Sequence, residues 1–169
     1  MKKNEVFSGR VILLPDDVDT DIIIPTQYMT LSAIKEMCRY AFSPLRPELA
    51  ANICRGDILV AGKNFGCGSS REQAPEIIRE LGIACVIAES FARIFYRNAL
   101  TNGLLVIEAA GLAEHVKEGE SLTVDMKENL LITTGGKRLG FAQIPSRLIE
   151  MIEAGGLVEY YKELNGVKP

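Results

Sequence analysis

Residues 56–90 read GDILVAGKNFGCGSSREQAPEIIRELGIACVIAES, and their order decides the fold class. DILVAG is a short apolar run of strand length, KNFGCGSS is a glycine-rich loop, REQAPEIIRELG is a helix stopped by Gly82, and IACVIAES is a second buried strand. Strand, helix, strand in that order requires parallel strands joined by a crossover. Working outward, 91–102 predicts a further helix with Gly103 as its stop, and LLVIE (104–108) a third strand. Upstream, VFSGRVILL (6–14) is a strand ended by Pro15, followed by the acidic loop DDVDTDIIIP (16–25). The spacing of Leu31, Ile34, Met37, Cys38 and Phe42 then predicts a helix over 31–42. Downstream, SLTVDM, LLITT and RLGFAQI alternate with the turns KEN and GGK, and Pro145 opens a helix stopped by the Gly155-Gly156 pair before a last helical segment, LVEYYKEL. The expectation is one α/β domain over residues 1–169, with a mostly parallel central sheet and added β-hairpins.

Composition narrows the function. The 169 residues, 47% hydrophobic and 24% charged, have the balance of one ordinary globular domain. Nineteen basic against 22 acidic residues give a net charge of −3 with no basic stripe, which argues against nucleic acid. No window approaches the roughly 18 apolar residues of a membrane span, and MKKNEVFSGR has no apolar stretch after its lysines. The cysteines at 38, 54, 67 and 85 form no C-x-x-C pair, so they read as free thiols in a reducing, cytoplasmic compartment, with Cys38 and Cys85 in the core. The single histidine, His115, lies in a polar segment and reads as a surface residue.

The chemistry concentrates in GCGSSRE (66–72). A loop between strand and helix offers backbone N–H groups and the helix dipole to an anion, Ser69 and Ser70 add hydroxyls, and Arg71 adds a planar fork suited to a carboxylate. The bland alternative is capping: Ser69 with Glu72, and Ser70 with Gln73, each fit S-x-x-E/Q. Spacing leaves both readings open. The P-loop pattern fails for want of its lysine, and the dinucleotide fingerprint fails because its third glycine is replaced, so a small carboxylate is the expected ligand. In the acidic loop, Asp17-x-Asp19-x-Asp21 begins like an EF-hand, but Ile22 and Tyr28 stand where the turn glycine and the bidentate glutamate belong. Asp16, Asp17 and Asp19 therefore read as turn residues, whereas the apolar run after Asp21 would draw that carboxylate inward. Arg93 and Arg97, at i and i+4, read as a solvated face. Cys67, beside a helix N-terminus, has the setting of a thiol with lowered pKa, although no histidine stands near it as a base.

The runs DDVDTDIIIP, GDILVAGKNFGCGSSRE and VIAESFARIFYRNALTNGL, spanning most of 10–107, resemble the signatures of 3-isopropylmalate dehydratase small subunits, the swivel domains of the aconitase superfamily. The resemblance implies a swivelling β/β/α fold that covers an active site on a separate large subunit, whose cysteines hold a [4Fe–4S] cluster; this chain holds no metal. It implies that Ser69 is the alkoxide-type general base, that Ser70 and Arg71 hold a substrate carboxylate, and that Thr20 and Asp21 belong to the site wall. Where aconitase has a further serine this chain has Ile24, and Gln73 replaces the usual histidine of SSREH. The loop Tyr28-Met29-Thr30-Leu31 matches the segment that contacts the variable substituent, and it lacks the arginine of homoaconitase-like members. An apolar substituent is the better fit, so the implied activity is a hydro-lyase interconverting 2- and 3-isopropylmalate in leucine biosynthesis. Homoaconitase and 2,3-dimethylmalate dehydratase small subunits are the nearest alternatives. A non-catalytic anion-binding or interaction module, in which the serines only cap, is the alternative from another class.

Overall fold

The sheet turns on its first strand. In the computed structural model, which describes residues 6–166, β1 (Val6–Leu13) pairs by its second half, from Val11 to Leu13, with β2 (Ile58–Ala61) in parallel. Its first half, from Val6 to Arg10, pairs with β5 (Ser121–Asp125) antiparallel. With β3 (Cys85–Ala88), β4 (Val106–Glu108), β6 (Leu130–Thr133) and β7 (Arg138–Gly140), the order is β4-β3-β2-β1-β5-β6-β7. The expected parallel central part and the added β-hairpins are both present in this one sheet. Strands β1 to β4 are parallel, but β5, β6 and β7 continue the same sheet as an antiparallel meander. Their short connections decide this, because a tight turn joins only antiparallel neighbours. In the turn after β5, Asp125 Oδ1 accepts the N–H groups of Lys127 and Glu128, and Asn129 takes a left-handed φ of 54°.

Every residue of β2 and β3 is buried, which is why both read as unbroken apolar runs rather than alternating ones. Helix α4 (Gln73–Glu80) makes the crossover between them and buries Ala74, Pro75, Ile77 and Ile78. Helix α5 (Arg93–Thr101) follows β3, and α6 (Ser146–Ala154) and α7 (Leu157–Leu164) close the chain after the β7 segment. Gly155, at φ 95°, ends α6 as expected of a left-handed cap. Three short helices lie between the strands: α1 (Thr20–Ile23), α2 (Ile34–Met37) and α3 (Leu49–Asn52). The single helix expected over 31–42 is broken. After α2 the chain tightens into a 3₁₀ turn, Cys38–Tyr40, and Phe42 adopts φ 59° so that its fully buried ring enters the core while its N–H bonds Ile23 O. Tertiary packing of one aromatic ring overrides the helical spacing.

One buried charge carries no signal in the sequence. Asp57, 3% exposed at the head of β2, accepts from Arg10 Nη2 at 2.6 Å, from Arg10 Nε at 3.2 Å and from the Cys54 N–H at 2.8 Å. A carboxylate with this many donors is satisfied despite its burial, and it ties β1 to β2 at the end of the sheet away from the glycine-rich loop.

Candidate active site

The loop after β2 and the loop after β1 are stitched together residue by residue. Asp16 Oδ1 accepts the Lys63 N–H at 2.7 Å, and Asp17 Oδ1 accepts Asn64 Nδ2 at 2.7 Å. Gly66 N–H bonds Val18 O, and Thr20 N–H bonds Cys67 O, which forms an isolated parallel bridge between Asp19 and Cys67. Asp19 caps α1 through the Ile22 N–H. The aspartates are turn residues as expected, but each turn is also a contact with the glycine-rich loop. Asn64, which no sequence motif singles out, is held at φ 58° between the two loops, and its own N–H bonds Ser90 Oγ.

This stitching decides where the serines stand. Ser69 and Ser70 are exposed, and among the described residues neither hydroxyl makes a hydrogen bond. Capping is ruled out, because α4 begins only at Gln73 and its N-cap, Glu72, makes no side-chain cap bond. The expected help from the helix dipole is weakened for the same reason, since the field falls off within the first turn. The N–H groups of Gly68, Ser69 and Ser70 donate to no backbone carbonyl among the described residues, so they stay available to an anion. Thr20, 2% exposed, donates its hydroxyl to Ser69 O at 3.0 Å. It holds Ser69 in place from beneath the loop.

Arg71 and Asp21 exchange the positions expected of them. The Arg71 side chain is 9% exposed, and Nη1 donates to Ile24 O at 2.7 Å and to Thr20 O at 3.4 Å. Nη2 stands 2.7 Å from Asp21 Oδ1 and donates to Thr26 Oγ1 at 2.9 Å. Asp21 is not drawn inward, since its side chain is 53% exposed. The Thr26 hydroxyl and the Arg71 guanidinium hold its carboxyl below the usual carboxylate range. Next to this cluster, the 3₁₀ turn Thr26–Tyr28 opens the expected specificity loop. Tyr28 stacks on Tyr40 with ring centroids 3.8 Å apart, Met29 and Leu31 are half-buried, and Thr30 is exposed.

Cys67 is not an activated thiol. Burial, then Asp19, then Asp17 push it up from its ordinary value, and the helix N-terminus is too distant to offset them. With iodoacetamide at about pH 8, exposed Cys54 is expected to alkylate before Cys67, as mass spectrometry would follow; the opposite order would restore the activated thiol. Cys38 and Cys85 are buried, and burial pushes Cys38 up to about 11. These donors do not fit a [4Fe–4S] cluster: two lie in the core, and Cys54 and Cys67 stand at opposite ends of β2. No three His, Cys, Asp or Glu side chains converge as a metal site among the described residues. His115 is exposed, and so are Arg93 and Arg97, which make no ion pair among the described residues. A separate cavity of about 550 Å³ opens at the other end of the parallel strands, where Arg79 bonds the carbonyls of Asn102 and Gly155. It shares no residue with the stitched loops.

A sheet bearing a serine- and glycine-rich loop bound to a Thr-Asp loop defines the class, an aconitase-type swivel domain. The Aconitase C-terminal domain family matches residues 50–111. A crystal structure of 3-isopropylmalate dehydratase from Methanocaldococcus jannaschii superposes with a TM-score of 0.90 at 38% identity, covering 96% of this chain and 97% of that one. The 3-isopropylmalate dehydratase small subunit of Lachnospira eligens is 58% identical over 164 residues, 97% of this chain and 99% of its own. An isopropylmalate/citramalate isomerase small subunit of M. jannaschii is 44% identical over 160 residues, 94% of this chain and 95% of its own. The chain belongs to the 3-isopropylmalate dehydratase small-subunit family. No described helix is long and apolar enough to cross a membrane.

Proposed function

We propose that this chain is the small subunit of a cytoplasmic 3-isopropylmalate dehydratase, a hydro-lyase of leucine biosynthesis that works only with an iron–sulfur large subunit. The observation that carries the site reading is Ser69: a hydroxyl with no partner among the described residues, on a loop fixed by Thr20 and edged by unpaired N–H groups. Ser69 Oγ takes the carbon-bound proton of 2-isopropylmalate as the C=C bond forms, and returns it to the other carbon when water adds back. The N–H groups of Gly68 to Ser70 stabilise the serine oxygen in its anionic form. Ser70 and the remaining donor edge of Arg71 bind a substrate carboxylate, and Asp21 orients Arg71. The [4Fe–4S] cluster is assigned to the large subunit, where it would supply the Lewis acid for the leaving hydroxyl; the four cysteines of this chain are too scattered to suit it.

Substrate choice falls to the loop 28–31. Met29 and Leu31 present an apolar lining with no cation, which suits an alkyl substituent and leaves a further carboxylate unpaired. The name of the M. jannaschii relative also includes citramalate, a methyl-substituted malate, and that substrate is the second reading. Reconstitution with the large subunit and a panel of isopropyl-, methyl- and dimethyl-substituted malates and homoaconitate tests both. Isopropylmalate is expected to exceed methyl-bearing substrates in kcat/KM by about 10-fold or more, since each methylene in an apolar pocket is worth about 1–3 kcal/mol. Preference for homoaconitate, or turnover by this chain without a partner, would overturn the reading.

A further inference from the structure

We propose that Thr26 is a positioning residue for substrate recognition, its hydroxyl closing a ring with Asp21 and Arg71 that fixes both charged groups. The inference rests on the reading of these loops as the substrate site. Thr26 Oγ1 donates to Asp21 Oδ1 at 2.8 Å and accepts from Arg71 Nη2 at 2.9 Å, while Nη2 and Oδ1 stand 2.7 Å apart. A hydroxyl has one proton and two lone pairs, so giving the proton to the carboxylate turns a lone pair toward the guanidinium. Each member of the ring therefore dictates the orientation of the next.

The ion pair alone fixes Asp21 only weakly. Arg71 is largely buried and held by the Ile24 and Thr20 carbonyls, but Asp21 is half-exposed, and a carboxylate open to solvent gains little from one particular arrangement. Thr26 supplies the missing constraint because its own backbone is set. It follows Pro25, whose φ is −62°, and its carbonyl accepts the Met29 N–H as the 3₁₀ turn begins. With Nη1 on Ile24 O and Nη2 on Thr26, Arg71 keeps Nε without an acceptor among the described residues, which is the edge left for a carboxylate. The same turn carries Tyr28, so Thr26 links the carboxylate site to the loop that reads the variable substituent.

The test is steady-state kinetics of the reconstituted pair on 2-isopropylmalate. Thr26→Val removes both hydrogen bonds at similar volume, and KM is expected to rise about tenfold while kcat stays within about threefold. Thr26→Ser keeps the hydroxyl and is expected to return KM to within about twofold of the parent. Thr26 is exposed, so neither change disturbs the core, and Thr26→Ala, which adds no bulk, is read beside them. An unchanged KM in Thr26→Val, or a serine variant as impaired as the valine one, would overturn the proposal while the parent pair still turns over. A parent pair that does not turn over 2-isopropylmalate would instead overturn the site reading, and this inference with it.

Discussion

Ser69→Ala in the reconstituted enzyme is expected to lower kcat by about 10³-fold, the contribution of a well-placed general base, equivalent to about 4 kcal/mol of transition-state stabilisation. KM should move far less, because the carboxylate contacts proposed for Ser70 and Arg71 are left in place by the substitution. The pair should also assemble normally, since Ser69 is exposed, its hydroxyl has no partner among the described residues, and the bond from Thr20 goes to its carbonyl. The proposed role also gives a reason for a partner. A serine hydroxyl in water is a poor base, and a second subunit covering the loop would let the N–H groups of Gly68 to Ser70 act at low dielectric. Full activity in Ser69→Ala would end the serine-base role. A fall confined to KM would reassign Ser69 to binding.

The parts of this molecule that are legible in the sequence are those governed by local pattern. The strands at 58–61 and 85–88 are buried on both faces, so they show as unbroken apolar runs, and the helix between them is bounded by turn residues. Antiparallel continuation from β1 is less visible, because nothing in 6–13 says that its two halves serve different neighbours. The site divides in the same way. The residue types at 69–71 are enough to point to a carboxylate ligand, but which side chain is exposed depends on contacts between loops about 50 residues apart. Thr20 and Asp21 illustrate the limit: adjacent in sequence, they differ in burial because the single turn of α1 points one at Ser69 O and the other at Arg71 and solvent. Thr26 carries no signal of its own, since a threonine after a proline in a loop is ordinary until its two charged partners are seen.

Gly66→Ala is expected to destabilise the chain by about 2–4 kcal/mol and to impair turnover, and the reason joins the core to the site. Gly66 has φ 77°, which costs an L-residue roughly 1 kcal/mol. The larger effect is steric, because a Cβ there would lie 2.1 Å from Phe95 Cγ. Phe95 cannot yield: it is 2% exposed and packs edge-on against Phe65, with centroids 5.2 Å apart, and parallel to Phe91 at 6.2 Å. The loop must therefore lift, which strains the bond from the Gly66 N–H to Val18 O and shifts the four residues that follow. Gly68 is the internal comparison. Its φ is 87°, yet a Cβ there meets nothing closer than Thr20 Oγ1 at 3.4 Å, so Gly68→Ala should cost only the backbone penalty of about 1 kcal/mol. Thermal melts should thus rank parent, Gly68→Ala and Gly66→Ala in falling order, with Gly66→Ala lower than the parent by about 10 °C. Equal melting temperatures for the two variants would mean that the aromatic cluster does not support the loop, and the stiffness beneath Ser69 would have to come from the large subunit.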